Sequence, residues 1–183
     1  DSGVMDVTTH VPNHLNDSLE VTLNVGIVGL GYVGLPTAIS FASRGHRVTG
    51  LDISEARLAA IRAGQVDLLE SDLQLLAEVD TLDLTTEPLD LQACDAVLIA
   101  VPTPIDAHLQ PDLAAIKSAC AMVVDHARAG QLFVLTSTTY AGCTNDLLTE
   151  PLRRRGFTVG EDVFVAFSPE RIDPANRDVH HNE

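Results

Sequence analysis

The feature that most constrains the fold is a glycine-rich turn between a short apolar run and an amphipathic segment. Residues 25–28 are apolar and include β-branched side chains, which predicts a buried strand. The turn then spaces its glycines as G-x-G-x-x-G, at Gly29, Gly31 and Gly34. A helix is predicted over about residues 33–44, and a second strand over 47–51. This order of strand, turn, helix and strand is the context in which such glycines bind a dinucleotide.

Each glycine has its own physical role in that context. Gly29 allows a sharp turn, Gly31 lets the backbone approach a pyrophosphate, and Gly34 lets the helix pack against the strand. The helix N-terminus offers N–H groups and a partial positive charge to the phosphates. Asp52 follows the second strand, where a carboxylate accepts the ribose hydroxyls and repels a 2′-phosphate. The sequence therefore predicts a site for NAD rather than for NADP.

Strand and helix patterns alternate along the rest of the chain. The further predicted strands are 82–85, 96–101, 132–135 and 163–167. The further predicted helices are one capped by Ser54 and ended by Gly64, a short one over about 73–79, one with Asp112 as N-cap and Gly130 as its end, and one over about 143–155. Right-handed crossovers between such units predict an α/β fold, a doubly wound parallel sheet in a single domain.

Loops at the carboxyl ends of these strands are the expected ligand site of such a sheet. Residues 101–104 contain two prolines, 137–142 are rich in hydroxyls, and 168–174 carry Glu170. Taken alone, Thr138 and Thr139 are as compatible with satisfying strand-end backbone groups as with a site. Glu170 is equally compatible with a surface ion pair. Arg57, in the helix after Asp52, either contacts the cofactor or is simply solvated.

Composition excludes several other classes of function. The 183-residue chain has a net charge of −15, which disfavours binding to nucleic acid or to an anionic membrane. The apolar runs are shorter than the ~20 residues of a membrane span. Three cysteines without framework spacing argue against a disulfide scaffold and favour the cytoplasm. The histidine pairs at His10 and His14 and at His180 and His181 lack the ligand count of a metal site, so no metal is predicted.

Several short motifs together resemble the UDP-glucose/GDP-mannose dehydrogenase family. They are G-L-G-Y-V-G-L-P at 29–36, V-P-T-P at 101–104, P-D-L at 111–113, S-T-T-Y at 137–140 and S-P-E-R-I-D-P at 168–174. The last motif is most similar to the UDP-N-acetylhexosamine branch, typified by UDP-N-acetylmannosamine dehydrogenase. The resemblance covers about residues 24–178. It implies a Rossmann-type domain and oxidation of a nucleotide-sugar C6 alcohol to an acid with two NAD.

The resemblance also implies roles for individual residues. It places Glu170 and Thr138 at the catalytic centre, with Glu170 assisting proton transfer, and Arg171 and Ile172 in the UDP-sugar channel. It assigns NAD binding to the turn, the residues after the second strand and two loops. These residues are Gly29, Leu30, Gly31, Tyr32, Val33, Gly34, Asp52, Arg57, Val101, Pro102, Thr103 and Thr139.

The family's nucleophilic thiol has no counterpart in this chain. Cys94 and Cys120 are predicted core thiols, and Cys143 stands at a helix start where the family usually has Thr. The expectation is a flexible extension over 1–23, a NAD-binding domain over 24–178 and a tail over 179–183. The central helix and substrate domain would be absent, so the chain is expected to be an inactive fragment of a larger two-domain, homo-oligomeric, cytoplasmic enzyme.

Three alternatives to this interpretation stay open. UDP-glucose is a possible substrate, although Pro174 replaces a glutamate found in UDP-glucose enzymes. The β-hydroxyacid dehydrogenases share the glycine turn, but they usually have Met at the position of Tyr32 and lack the 168–174 motif. A NAD-binding regulatory module without catalysis is the non-enzyme alternative.

Overall fold

The computed structural model describes residues 21–104, 112–137 and 140–169. Its elements in chain order are β1 (Asn24–Val28), α1 (Gly34–Ser43), β2 (Arg47–Leu51), α2 (Glu55–Arg62), α3 (Glu70–Glu78), β3 (Leu82–Thr85), a 3-10 turn (Pro88–Ala93), β4 (Ala96–Ile99), α4 (Ala114–Asp125), β5 (Leu132–Leu135), a π-helical segment (Asn145–Thr149), α5 (Glu150–Arg154) and β6 (Phe164–Phe167). Residues 1–20 of the predicted extension, residues 170–178 of the predicted domain and the predicted tail over 179–183 lie outside the described residues.

The strands form one parallel sheet of six in the order β3-β2-β1-β4-β5-β6. The predicted doubly wound parallel sheet is therefore confirmed. Strands β2 and β3 lie on one side of β1, and the chain then crosses to the other side of β1, where β4, β5 and β6 follow in order. The crevice between the ends of β1 and β4 is where ligands bind in open α/β sheets.

The sheet is covered on both faces, which explains the continuous apolar runs of its strands. One buried cluster joins β1 and β2 to α1 and α2, through Val25, Ile27, Leu35, Ile39, Val48, Leu58 and others. The other joins β4 and β5 to α4 and the π-helical segment, through Val97, Ile99, Ile116, Cys120, Phe133, Leu135, Leu148 and others. Successive residues of β1 contribute to opposite clusters, as the alternation of side chains along a strand requires.

Several predicted element ends are wrong by a few residues. Helix α3 begins at Glu70 rather than near residue 73, and its first turn carries two acidic side chains that favour a helix N-terminus. Helix α4 begins at Ala114, and Asp112 is not its N-cap. The Asp112 carboxylate instead accepts the Ala114 N–H at 2.9 Å, two residues ahead, in a turn before the helix. Helix α4 ends at Asp125, and Gly130 makes a later left-handed turn into β5 at φ +89°.

Three strand ends differ as well, and the first is that of β1, which begins at Asn24 rather than at residue 25. Strand β4 stops at Ile99, although the Ala100 N–H still donates to Val28 O at 2.8 Å. The ladder cannot continue past Pro102, which has no N–H. Strand β6 starts at Phe164, because Val163 forms an isolated bridge with Val159.

The predicted last helix is not a regular α-helix. Its middle, Asn145–Thr149, is π-helical, and α5 completes it as Glu150–Arg154. Pro151 explains the wide turn, because it lacks an N–H and its ring would clash with the carbonyl of residue 147 in a regular α-helix. The three arginines at its end are positioned as predicted, and Arg153 pairs with Glu150 at 2.7 Å.

No helix in the described part of the chain is long and apolar enough to cross a membrane.

Candidate functional site

The glycine turn after β1 is built by close backbone contacts. Gly29 has a left-handed φ of +90°, and its N–H donates to Leu51 O at 2.8 Å, which joins the turn to the end of β2. A Cβ added at Gly34 would lie 1.7 Å from the Gly29 carbonyl oxygen. Helix α1 therefore crosses the turn at a distance that only glycine permits. The sequence predicted the sharp turn at Gly29 and the close packing at Gly34.

Gly31 has a different environment. A Cβ added there meets no atom of the described residues within 4 Å, so they leave the space outside its backbone open. Val33 is the N-cap of α1, and no side chain among the described residues caps that N-terminus. Tyr32, between the glycines, is 67% exposed. The turn thus presents open backbone at the start of a helix, which is the arrangement that binds phosphates in dinucleotide sites.

Asp52 is fixed at the end of β2 by backbone donors. Its Oδ2 accepts the Leu30 N–H at 2.9 Å, and its Oδ1 accepts the Ser54 N–H at 2.9 Å. Each carboxylate oxygen has a second lone pair, so the carboxylate can still accept hydrogen bonds from a ribose. Ser54 caps α2 by accepting the Arg57 N–H at 3.2 Å, as the sequence predicted.

Arg57 lies in the first turns of α2 and reaches back to the glycine turn. Its Nε donates to the Leu30 carbonyl oxygen at 2.8 Å. Leu30 is 0% exposed, with its side chain packed against Gly50 of β2. The side chain of Arg57 is therefore part of the turn's own structure, and it is not simply solvated.

A cleft of about 590 Å³ lies between the carboxyl ends of β1, β2 and β4. Seven of the residues predicted to bind the cofactor line it: Gly29, Leu30, Gly31, Asp52, Arg57, Val101 and Pro102. Tyr32, Val33, Gly34 and Thr103 were predicted for the same site and do not line this cleft. Two of them lie directly behind it: Gly34 packs on Gly29, and Val33 occupies the N-cap position of α1.

One wall of the cleft was missed by the sequence analysis. Ala115, Ser118, Ala119 and Met122 of α4 line it, together with Ile53 and Ser54 after β2. The pattern assigned α4 only a core stripe. The sequence does contain a signal for this wall, since the small residues Ala115, Ser118 and Ala119 recur at i, i+3 and i+4 beside the core stripe. Such small side chains leave room for a ligand on a second face of the helix.

The ends of β4 and β5 are tied together by hydroxyls. Thr136 Oγ1 donates to Ile99 O at 2.9 Å, and Ser137 Oγ donates to Val101 O at 2.7 Å. Strands β5 and β6 end in register, with Leu135 opposite Phe167. The chain therefore leaves both strands at the edge that holds the cleft. The residues predicted farthest along these loops, Thr138, Thr139, Glu170, Arg171 and Ile172, lie outside the described residues, and their roles stay predictions.

The three cysteines are all buried and free. Burial raises the pKa of Cys120 to about 12, with a smaller effect from the neighbouring Cys143. Burial also raises the pKa of Cys94. The predicted core role of these two thiols is confirmed. Cys143 is 1% exposed, so it is not presented to the cleft as a nucleophile.

Comparison with known proteins gives a consistent result. The sequence model of the UDP-glucose/GDP-mannose dehydrogenase family, NAD binding domain, matches residues 23–183. The chain is 39% identical over 157 residues to a UDP-N-acetyl-D-glucosamine 6-dehydrogenase of Pseudomonas aeruginosa, covering 85% of the chain and 37% of that enzyme. It is 35% identical over 161 residues to a UDP-N-acetyl-D-mannosamine dehydrogenase of Yersinia pestis, covering 82% and 38%.

Among solved structures, a UDP-D-ManNAc dehydrogenase from Pyrococcus horikoshii superposes with a TM-score of 0.74 at 32% identity. The match covers 83% of this chain and 37% of that one. The chain thus spans a little over a third of the length of these relatives.

Proposed function

The chain belongs to the UDP-glucose/GDP-mannose dehydrogenase family, and from this premise we propose the reaction that it serves. It is the NAD-binding part of an enzyme that oxidises the C6 alcohol of a UDP-N-acetylhexosamine to the uronic acid with two NAD. The observation that carries the substrate class is that its relatives at 35% identity or more include enzymes named for UDP-N-acetylglucosamine and UDP-N-acetylmannosamine. The cofactor, NAD, is that of the family's domain.

The geometry supports NAD in the cleft in three ways. The Asp52 carboxylate, held by two backbone N–H groups, accepts the adenosine ribose hydroxyls and opposes a 2′-phosphate. The open backbone at Gly31 faces the pyrophosphate. The apolar wall formed by Ile53 and Met122 accepts the flat adenine ring. The protein thereby positions the cofactor, and NAD supplies the hydride-accepting chemistry.

Catalysis is proposed to occur where the β5 and β6 loops meet the nicotinamide end of the cofactor. Thr138 and Thr139 lie near the reacting carbon, and Glu170 assists proton transfer. Arg171 and Ile172 line the channel for the sugar nucleotide. Support comes from the parallel register, which brings the ends of β5 and β6 to the edge that holds the cleft. A carboxylate acts as a general base only when it is within hydrogen-bond reach of the alcohol.

The test of the reaction uses the product of the complete gene. Purified protein is incubated with NAD and, in separate reactions, UDP-N-acetylglucosamine, UDP-N-acetylmannosamine, UDP-N-acetylgalactosamine and UDP-glucose. We expect two NADH for each sugar oxidised, with an N-acetylated sugar preferred in kcat/KM. Faster turnover of UDP-glucose than of all three N-acetylated sugars would contradict the proposed substrate class.

The 183-residue chain by itself is proposed to bind NAD without turnover. The aldehyde-to-acid half of the reaction needs a covalent thiol intermediate, and Cys94, Cys120 and Cys143 are all buried. Isothermal titration with NAD and NADP measures binding, and NADH absorbance with each UDP-sugar measures turnover. Sustained oxidation of a UDP-sugar by this chain, or tighter binding of NADP than of NAD, would refute this part of the proposal.

The wider setting follows from the same premise. The complete enzyme is proposed to be a homo-oligomer of the cytoplasm that makes uronic acid precursors for polysaccharide biosynthesis. Size-exclusion chromatography with light scattering tests the oligomeric state of the complete protein. A monomeric complete enzyme with full activity would contradict it.

A further inference from the structure

The peptide between Leu30 and Gly31 is held by a side chain from another element. Arg57 Nε of α2 donates to its carbonyl oxygen at 2.8 Å. The preceding peptide is held as well, since its N–H, on Leu30, donates to Asp52 Oδ2 at 2.9 Å. Two successive peptides of the glycine turn are thus fixed by the end of β2 and the start of α2.

The bond from Arg57 controls the direction of the Gly31 N–H. A trans peptide is planar, so its C=O and N–H point in opposite directions. Fixing the Leu30 carbonyl therefore fixes the Gly31 N–H. Gly31 is the glycine with open space outside its backbone, where the phosphates of the cofactor are expected.

The Leu30 carbonyl depends on this partner. Leu30 is 0% exposed, and its side chain is held in the core against Gly50 and Leu84. A buried carbonyl without a donor is costly. Without Arg57 the 30–31 peptide would turn toward solvent, and the Gly31 N–H would turn with it.

We propose that Arg57 is a positioning residue for the pyrophosphate site: through its Nε it orients the Leu30–Gly31 peptide before NAD arrives. This role is separate from any contact of the guanidinium with the adenosine ribose. The inference rests on the NAD site of the proposed function, and it does not depend on which sugar is oxidised.

Two substitutions at this position separate the donor from the charge. Arg57→Gln places an NH₂ group at the position of Nε, whereas Arg57→Met places a methyl group there. Both remove the charge and the terminal nitrogens. Arg62→Met is the matched control, because Arg62 lies on the same helix and donates to Leu84 O at 3.0 Å, away from the cleft.

The first measurement is amide hydrogen exchange of Leu30 by NMR in ligand-free protein, because its N–H is bonded to Asp52 and its exchange reports opening of the turn. Loss of the bond to the Leu30 carbonyl is expected to loosen the turn and to raise the exchange rate of the Leu30 N–H about threefold to tenfold in Arg57→Met. Arg57→Gln and Arg62→Met are expected to stay within about twofold of the wild type. Urea denaturation of each variant separates a local change from global loss of stability.

The second measurement is titration with ADP and with adenosine. For each variant, the loss of affinity for ADP is divided by the loss of affinity for adenosine. This ratio is expected to be about threefold to tenfold larger for Arg57→Met than for Arg57→Gln. Unchanged exchange in Arg57→Met, or equal behaviour of Arg57→Met and Arg57→Gln, would overturn the positioning role. A wild-type chain that binds neither ADP nor NAD would instead overturn the proposed function, and the exchange data distinguish the two failures because they need no ligand.

Discussion

At the scale of single residues, two glycines of the same turn have opposite surroundings. Gly34 is packed so closely that an added Cβ would lie 1.7 Å from the Gly29 carbonyl oxygen. An added Cβ at Gly31 would have no atom within 4 Å from the part of the chain that the structure describes. The first glycine is therefore required by the fold, whereas the second is proposed to be required by the ligand.

Alanine substitutions test this difference. Gly34→Ala is expected to destabilise the chain by at least about 2 kcal/mol, because the Gly29 backbone must move. Gly31→Ala is expected to change the free energy of unfolding by less than about 1 kcal/mol. Its NAD affinity should nevertheless fall at least about tenfold, since a methyl group fills space meant for phosphate. Urea denaturation measures the free energy of unfolding, and calorimetry measures the NAD affinity. Normal NAD binding by Gly31→Ala would contradict the predicted role of Gly31.

Cys120 couples stability to pH. Its thiol is 0% exposed, and burial raises its pKa from the ordinary 9.0 to about 12. Above pH 9 the unfolded chain releases this proton while the folded chain keeps it, so the stabilisation present at pH 8 is lost as pH rises toward 12. Between pH 8 and pH 10 we expect Cys120 to account for a loss of about 1 kcal/mol. Over the same interval, the free energy of unfolding of Cys120→Ala should therefore fall by about 1 kcal/mol less than that of the wild type. Identical slopes of unfolding free energy against pH in the two proteins would exclude the coupling.

At the scale of elements, one buried glutamine links two chain segments at the end of the sheet opposite the cleft. Gln131 precedes β5, is 1% exposed, and donates from Nε2 to Leu91 O and Cys94 O, both at 2.9 Å. Its Oε1 accepts the Arg128 N–H at 2.8 Å. The side chain thus fixes the loop after α4 to the segment that leads into β4.

Replacing this glutamine is expected to lower the stability of the fold without changing the affinity for NAD. Gln131→Leu removes three hydrogen bonds and leaves the Arg128 N–H without its acceptor, whereas Cys94 O still accepts from Arg128 Nη2 at 3.1 Å and Leu91 O still accepts the Cys94 N–H at 3.1 Å. The expected cost is about 2 kcal/mol in the free energy of unfolding. The cleft lies at the other end of the strands, so NAD affinity of the folded fraction should change less than about twofold. Gln74→Leu, at an exposed site on α3, is the control and should be nearly neutral. A large loss of NAD affinity in folded Gln131→Leu would show that the two ends are coupled.

At the scale of the whole molecule, the net negative charge of the chain opposes the binding of an anionic ligand. The chain carries a net charge of −15, and NAD is an anion. The described cleft contains one cationic side chain, Arg57, beside the carboxylate of Asp52. Phosphate binding is therefore proposed to depend on local backbone N–H groups acting against an unfavourable long-range field.

Salt dependence tests this balance. Raising NaCl from about 20 mM to about 300 mM screens the long-range repulsion and is expected to tighten NAD binding about twofold. Adenosine has no phosphate, so its affinity should not change. Weaker NAD binding at high salt would mean that direct ion pairs dominate instead.

The sequence predicted most of the fold because its signals are local. Strands β2, β3 and β5 lie at the predicted residues, and Ser54 caps α2 as expected. The errors come from nonlocal or competing effects. Pro151 widened a predicted α-helix into a π-helical segment, and the Asp112 carboxylate closed a turn before α4 instead of capping it.

The sequence by itself determined the glycine turn, the doubly wound parallel sheet and the NAD-favouring carboxylate at Asp52, because each depends on a pattern of residue types along the chain. Only the tertiary structure decided which residues meet. It placed a face of α4 in the cleft, and it joined Arg57 to the carbonyl of Leu30, which lies in a different element. Such contacts depend on how elements cross in space, and spacing along the chain does not encode that. The glycines therefore identify the kind of site, while packing between α2 and the turn sets the direction in which its backbone points.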